Sequence, residues 1–217
     1  MNDLVPTGLV RSAASAGGAA LATAARGLAA LRPSAKPLHP RGEVVVGRLQ
    51  RRGVASPTGV AWLDQPGEDE VLVRRSRAVG LPGPVPDVHG LALRVPVGEE
   101  SYADLLLAST GWGRVGRFVL TASRDPGGRP LTTLLPYHSP VGPLLIGARA
   151  LGPEQLELAC AVGAGEWEVF GMLGLEPLAA DPIVSFDPVR NRVPGLEQYG
   201  WVRRLRAPAY AVARGSR

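Results

Sequence analysis

The chain has 217 residues, 45% hydrophobic and 20% charged, which gives one large domain or two small ones a real core and excludes compositional disorder. Its formal net charge of +5 is carried almost wholly by arginine, Lys36 being the only lysine. Aromatics make up only 5% and do not alternate with arginine as a base-stacking surface requires, so no nucleic-acid partner is expected.

Residues 8–31 are rich in Ala, Gly and Ser. The stretch between Arg11 and Arg26 is too short to cross a bilayer, and no small-x-small cleavage site follows a Leu-rich block. A helical arm is predicted over 1–35, closed by Arg32-Pro33-Ser34, on a chain expected to be cytoplasmic with no membrane partner. One domain is expected over 36–217. Its first strand spans 43–50, and a short strand over 60–63 follows a Pro57-Thr58-Gly59 turn. Strands over 70–76 and 90–95 are joined by a Gly/Pro/Asp loop at 80–87. Ser101 as a cap with Asp104 in the first turn predicts a helix over 101–107. A fifth strand is expected at 115–122, while 130–150 is apolar, broken by proline and without a clear element.

Segments 155–162 and 166–175 pair as a hairpin about Gly163-Ala164-Gly165. Cys160, the only cysteine, lies in the apolar run 156–162 and reads as a buried, inert thiol. A last short strand is expected at 184–186, and 196–217 is helical in part. These spacings predict an α+β fold, an antiparallel β-barrel with an N-terminal helical arm and C-terminal helices. There is no βαβ rhythm, which argues against nucleotide-binding parallel folds.

No P-loop, dinucleotide fingerprint or GxSxG elbow is present. His39, His89 and His138 are widely spaced, so a metal-dependent phosphate-ester hydrolase lacks ligands. The tryptophans, Trp62, Trp112, Trp167 and Trp201, suit core or rim packing.

What remains is a series of segments in order. Leu38-His39-Pro40-Arg41-Gly42 is followed by Gly47. Val73-Arg74-Arg75-Ser76 precedes Pro86-Asp87-Val88-His89-Gly90-Leu91-Ala92-Leu93. Asp104-Leu105-Leu106 comes next, then Phe186-Asp187-Pro188 and Val193-Pro194-Gly195-Leu196. Arg206-Ala207-Pro208-Ala209-Tyr210 closes the series, with Arg214 beyond. This order resembles the catalase superfamily, whose members carry His-x-x-Gly, Arg-x-Ser, Asp-x-x-Gly-x-Ala, Phe-x-Pro and Arg-x-x-x-Tyr landmarks. The resemblance covers 36–217 with a shortened middle.

It implies a minimal haem domain holding haem b. Tyr210 would be the axial ligand of the haem iron, bound as tyrosinate. Arg206, four residues earlier, would share its helical face. A free tyrosine ionises near pH ~10, and a neighbouring guanidinium lowers that value. A Tyr-ligated ferric haem needs the anion. Arg214 would assist Tyr210 or bind a propionate, and Arg74 would pair with a propionate. His39 would be the distal base, moving a proton between the peroxide oxygens, with Ser76 fixing its orientation.

The chain departs from the pattern in three places. No asparagine occurs in 107–111, where Ser109 or Thr110 would substitute in part. Pro208 lies between Arg206 and Tyr210, and His89 stands where relatives carry arginine. The resemblance therefore implies weak haem-dependent peroxidase activity on hydrogen peroxide or organic hydroperoxides rather than rapid dismutation. The alternative is a haem-free barrel serving as a ligand-binding or interaction module. Full-size relatives form intertwined oligomers, and a homo-oligomer stays open here.

Overall fold

The computed structural model describes residues 41–78, 80, 85–177 and 184–202. The arm expected over 1–35 and the helical tail beyond 202 lie outside them. Among the described residues the strands are β1 (Arg41–Arg51), β2 (Gly67–Arg77), β3 (His89–Pro96), β4 (Tyr102–Ser109), β5 (Leu131–Thr132), β6 (Tyr137–Ser139), β7 (Gly142–Gly152), β8 (Gln155–Val162), β9 (Glu168–Glu176) and β10 (Glu197–Gln198). Hydrogen-bonded neighbours run β10-β6-β7-β5-β4-β3-β2-β1-β9-β8, and β7 also pairs with β8. That extra ladder closes β1, β2, β3, β4, β5, β7, β8 and β9 into an eight-stranded antiparallel barrel. β5 and β6 share one edge of β7, and β10 extends β6.

Period-2 alternation drives the closure. Val45 and Leu49 of β1 and Val71 and Val73 of β2 face the interior, together with Leu93, Leu105, Leu144, Ile146, Leu158 and Leu173. Gly47 permits a close approach, because a Cβ there would lie 2.7 Å from Leu173 Cδ1. Cys160 belongs to the same core and is 4% exposed. Burial, with the charges of Glu168 and Asp64, pushes its thiol from 9.0 up to about 12. That shift leaves about a thousandfold less thiolate at pH 8, the reactive form. Iodoacetamide is therefore expected to label the unfolded chain readily and the native chain hardly at all. Equal labelling of both forms would refute this burial.

One barrel end is plugged by helix α1 (Ala61–Asp64), which buries Trp62 and Leu63. Val60, Val193 and Leu196 join them in the core. A strand was expected at 60–63. β1 and β2 pair with each other along their full lengths, and the segment that joins them turns at the barrel end. The Asp64 carboxylate instead accepts the Thr58 and Gly59 N–H groups and the Thr58 hydroxyl, curling the backbone into one turn.

The helix expected at 101–107 is also corrected. These residues form β4, laddered to β3 from Pro96↔Tyr102 to Gly90↔Ala108. Ser101 closes the β3–β4 turn through Val97 N–H, and Asp104 serves a cross-strand partner rather than a helix terminus. The strand expected at 115–122 is a 3₁₀ turn, Gly116–Phe118, with a single bridge from Thr110 to Leu120. Val115 is 77% exposed, so this apolar run does not enter the core. Residues 184–186 join no ladder. The β8–β9 hairpin forms as expected, with Gly163 at φ 55° in its turn. Segment 130–150 resolves into β5, β6 and most of β7. Among the described residues, no helix is long and apolar enough to cross a membrane.

Candidate functional site

Adjacent strand residues face opposite sides, and Val71 and Val73 fix the inner side of β2. Arg75 therefore points inward at the barrel mouth, while Arg74 and Ser76 lie on the outer face. Register extends that face across four strands. Gly42, Ser76, Gly90 and Ala108 form one row, and Val44, Arg74, Ala92 and Leu106 form the next. The first row is built only of small residues, and the second carries the larger Val44, Arg74 and Leu106 beside Ala92. Val44 and Ala92 are buried on this platform. A Cβ on Gly42 would lie 2.8 Å from Arg74 Cζ, so glycine is what lets the guanidinium settle there. Ser76 Oγ lies a long 3.5 Å from the Gly90 carbonyl oxygen.

The following row holds Arg94 opposite Asp104. The Asp104 side chain is fully buried and accepts a forked pair from Arg94 at 2.8 and 2.9 Å. It also accepts the Asp187 N–H at 2.7 Å and Asn191 Nδ2 at 2.6 Å. Arg94 donates to the Ser185 carbonyl at 2.6 Å, and its guanidinium lies 4.0 Å from the Tyr102 ring and 5.1 Å from that of Phe186. Burial opposes the Arg94 charge, but the hydrogen bond and the charge of Asp104 prevail and raise its pKa. Segment 185–191 is thereby moored beside the platform. Sequence reasoning noticed Asp104 and the Phe186 segment separately and missed Arg94, whose pairing with Asp104 is visible only in the β3–β4 register.

Of the sequence-predicted site residues, Arg74 and Ser76 come together on the platform. His39, Arg206, Tyr210 and Arg214 lie outside the described residues. β1 begins at Arg41, two residues after His39, opposite Arg77. Ser109 and Thr110, expected to stand in for the missing amide, are committed elsewhere. Ser109 Oγ donates to the Thr121 carbonyl at 2.6 Å and accepts the His89 N–H at 3.0 Å. Thr110 Oγ1 lies 3.0 Å from the Gly111 carbonyl and 3.1 Å from Thr132 Oγ1. The platform row beside Gly90 ends instead in the methyl group of Ala108. His89 is buried, with Nε2 2.9 Å from the Ser123 carbonyl oxygen. That contact suits a ring N–H donor and ties the β3 start to the 123–125 turn.

The tryptophans pack as expected where described. Trp62 meets Phe170 edge-on at 5.4 Å, and Trp112 stacks on Trp167 at 4.2 Å above Gly147. Among the described residues, no cluster of three or more His, Cys, Asp or Glu is placed to hold a metal ion.

No protein-family model matches the sequence, and no curated protein does. The fold is similar to the crystal structure of a fungal catalase, with a TM-score of 0.59 at 12% identity. The match covers 100% of this chain and 64% of that one, so the chain spans under two thirds of the catalase's length. The likeness is one of fold: this is a catalase-like β-barrel.

Proposed function

We propose that the chain is a haem-dependent peroxidase of catalase-like type, acting on hydrogen peroxide or organic hydroperoxides. The observation that carries this reading is the outer platform. Gly42, Gly90, Ala92 and Ala108 keep much of that face low, where a planar macrocycle would approach the strands, and Arg74 would supply a cation for a propionate. The likeness in fold to a fungal catalase supports the same reading.

Bound haem would supply the redox chemistry. The chain's part is to hold the group and to manage protons. Tyr210 would coordinate as a phenolate, with Arg206 and Arg214 favouring its ionised form. His39 would take a proton from one peroxide oxygen at its ring nitrogen and deliver it to the other. Ser76, at the β2 end, would orient that imidazole. Ala108 offers no hydrogen bond to a bound peroxide, which fits slow peroxidation better than rapid dismutation.

The full chain titrated with haem b is expected to develop a Soret band at one equivalent. Arg74→Ala should weaken haem binding about tenfold, the scale of one charge-assisted contact. Tyr210→Phe should shift the band and remove peroxide-dependent oxidation of a dye. If the wild-type chain gives no Soret band, the reading is wrong and a haem-free module takes its place.

A further inference from the structure

Among the described residues, the barrel is plugged at the α1 end and opens into a cavity at the other. Mid-barrel positions carry large side chains such as Leu144, Ile146 and Leu173, whereas β7 ends on Ala150 and Gly152. The open end holds a cavity of about 830 Å³, within the usual range for small-molecule sites. Its floor is aliphatic: Leu91, Leu131, Leu156 and Leu175 line it, and each is under 10% exposed. Leu151, 52% exposed, stands on the rim.

The charged groups of the rim are Arg75 and Arg77 with Glu43 and Asp125, and of the two cations Arg75 is the one held by an exposed, exchangeable pair. Arg75 donates to Glu43 at 2.8 Å and to the Pro153 carbonyl at 3.3 Å. Both side chains of that ion pair are well exposed, 38% and 64%, so water screens it and a second carboxylate can compete. Arg77 also lines the cavity, its Nη2 donating to the Val85 carbonyl at 2.7 Å and its Nε lying 3.6 Å from the Asp87 carboxylate. The Asp125 carboxylate at the rim is engaged by the Gly127 N–H at 3.0 Å.

We propose that this cup binds a medium-chain aliphatic carboxylate. The hydrocarbon chain lies against the leucine floor, and the carboxylate bridges to the Arg75 guanidinium, with Arg77 beside it. Apolar burial supplies the attraction, and the arginine fork fixes the head group. The inference goes beyond the haem reading and does not depend on it. Arg74 and Arg75 point to opposite sides of β2, and the platform and cup share only strand-end residues such as Gly42, Ser76 and Gly90.

The test is calorimetric titration of the haem-free full chain with dodecanoate below its micelle concentration. One saturable site is expected, and Arg75→Ala should weaken it about tenfold or more. Dodecanol, which has no carboxylate, should bind the wild type and Arg75→Ala alike. Gly152→Trp should abolish binding of both ligands, since a Cβ there meets nothing within 4 Å and the indole can enter the cup without moving backbone. The proposal is overturned by a wild type that does not saturate with dodecanoate, by unchanged affinity in Arg75→Ala, or by binding that survives in a folded Gly152→Trp. A chain that gives a Soret band yet ignores dodecanoate overturns this proposal alone. A chain that binds dodecanoate without a Soret band overturns only the haem reading.

Discussion

Replacing Asp104 with alanine is expected to cost about 3–5 kcal/mol, the scale for removing one partner of a buried ion pair. Its carboxylate is fully buried and accepts four hydrogen bonds, two from Arg94 and one each from the Asp187 N–H and the Asn191 amide. Without it a guanidinium only 20% exposed loses its counter-charge. Domains of this size hold about 5–15 kcal/mol in all, so the loss is a large fraction of stability. Urea denaturation should register it as a lower midpoint at unchanged slope. The second consequence is local. Segment 185–191 loses its side-chain mooring on Asp104 and keeps only the backbone bond from the Asp104 N–H to the Asn191 carbonyl, so hydrogen exchange at the Asp187 amide should accelerate before the barrel itself opens. An Arg94→Leu/Asp104→Leu pair should recover part of the stability, because no lone charge remains buried. A cost under about 1 kcal/mol for Asp104→Ala, with Asp187 exchange unchanged, would show that this network holds nothing in place.

The same residue shows why part of the fold was legible and part was not. β1, β2 and β3 carry β-branched or aliphatic residues at alternate positions, so one face of each could be read from the chain. β4 defeats that reading. Ser101 followed by Asp104 and three leucines satisfies a helix start as well as a strand. What decides is Arg94 on the neighbouring strand, a cross-ladder partner that no local window contains. Segment 130–150 was opaque for a related reason. Its short strands β5 and β6 exist because β7 offers one long edge for both, while Pro136, Pro140 and Pro143 punctuate the sequence. The 115–122 run has strand-like residues but only a single bridge, because β5 already occupies the edge of β4.

For the site, Arg74 and Ser76 were found through their spacing in a family pattern, and strand alternation gave them one face. The row of small residues on that face was not readable. It comes from three separate strands placing Gly42, Gly90 and Ala108 in one row, which only the register provides. The cup on the inner side was equally hidden. Arg75 looks like a solvated strand residue until β8 and β9 bring Leu156 and Leu175 into the same cavity.

At the opposite barrel end, Asp69→Ala is expected to destabilise on the same scale, about 3–5 kcal/mol. Arg51 donates to Asp69 at 2.7 and 3.3 Å, and the two side chains are 11% and 10% exposed. The Trp62 indole N–H donates to the same carboxylate at 3.1 Å, and Arg51 also holds the Trp62 and Gln65 carbonyls at 2.8 and 2.9 Å. One carboxylate thus ties β1, β2 and the α1 plug together. Gly67 makes room for it, since a Cβ there would collide with Arg51 Nη2. Losing Asp69 leaves the guanidinium without its counter-charge and the indole N–H without its acceptor, so Trp62 emission should move to longer wavelength as water reaches the plug. Trp62→Phe keeps the ion pair and removes one neutral donor, and should cost about 1–2 kcal/mol, mainly in packing volume. The Asp69 and Asp104 networks share no residue, so their costs should add to about 6–10 kcal/mol in the double variant. That sum meets the whole stability of an ordinary domain, and the double variant is expected to be unfolded at 25 °C by circular dichroism. A double variant that melts cooperatively, no lower than either single one, would mean that the α1 plug and the Asp104 network are not secured independently.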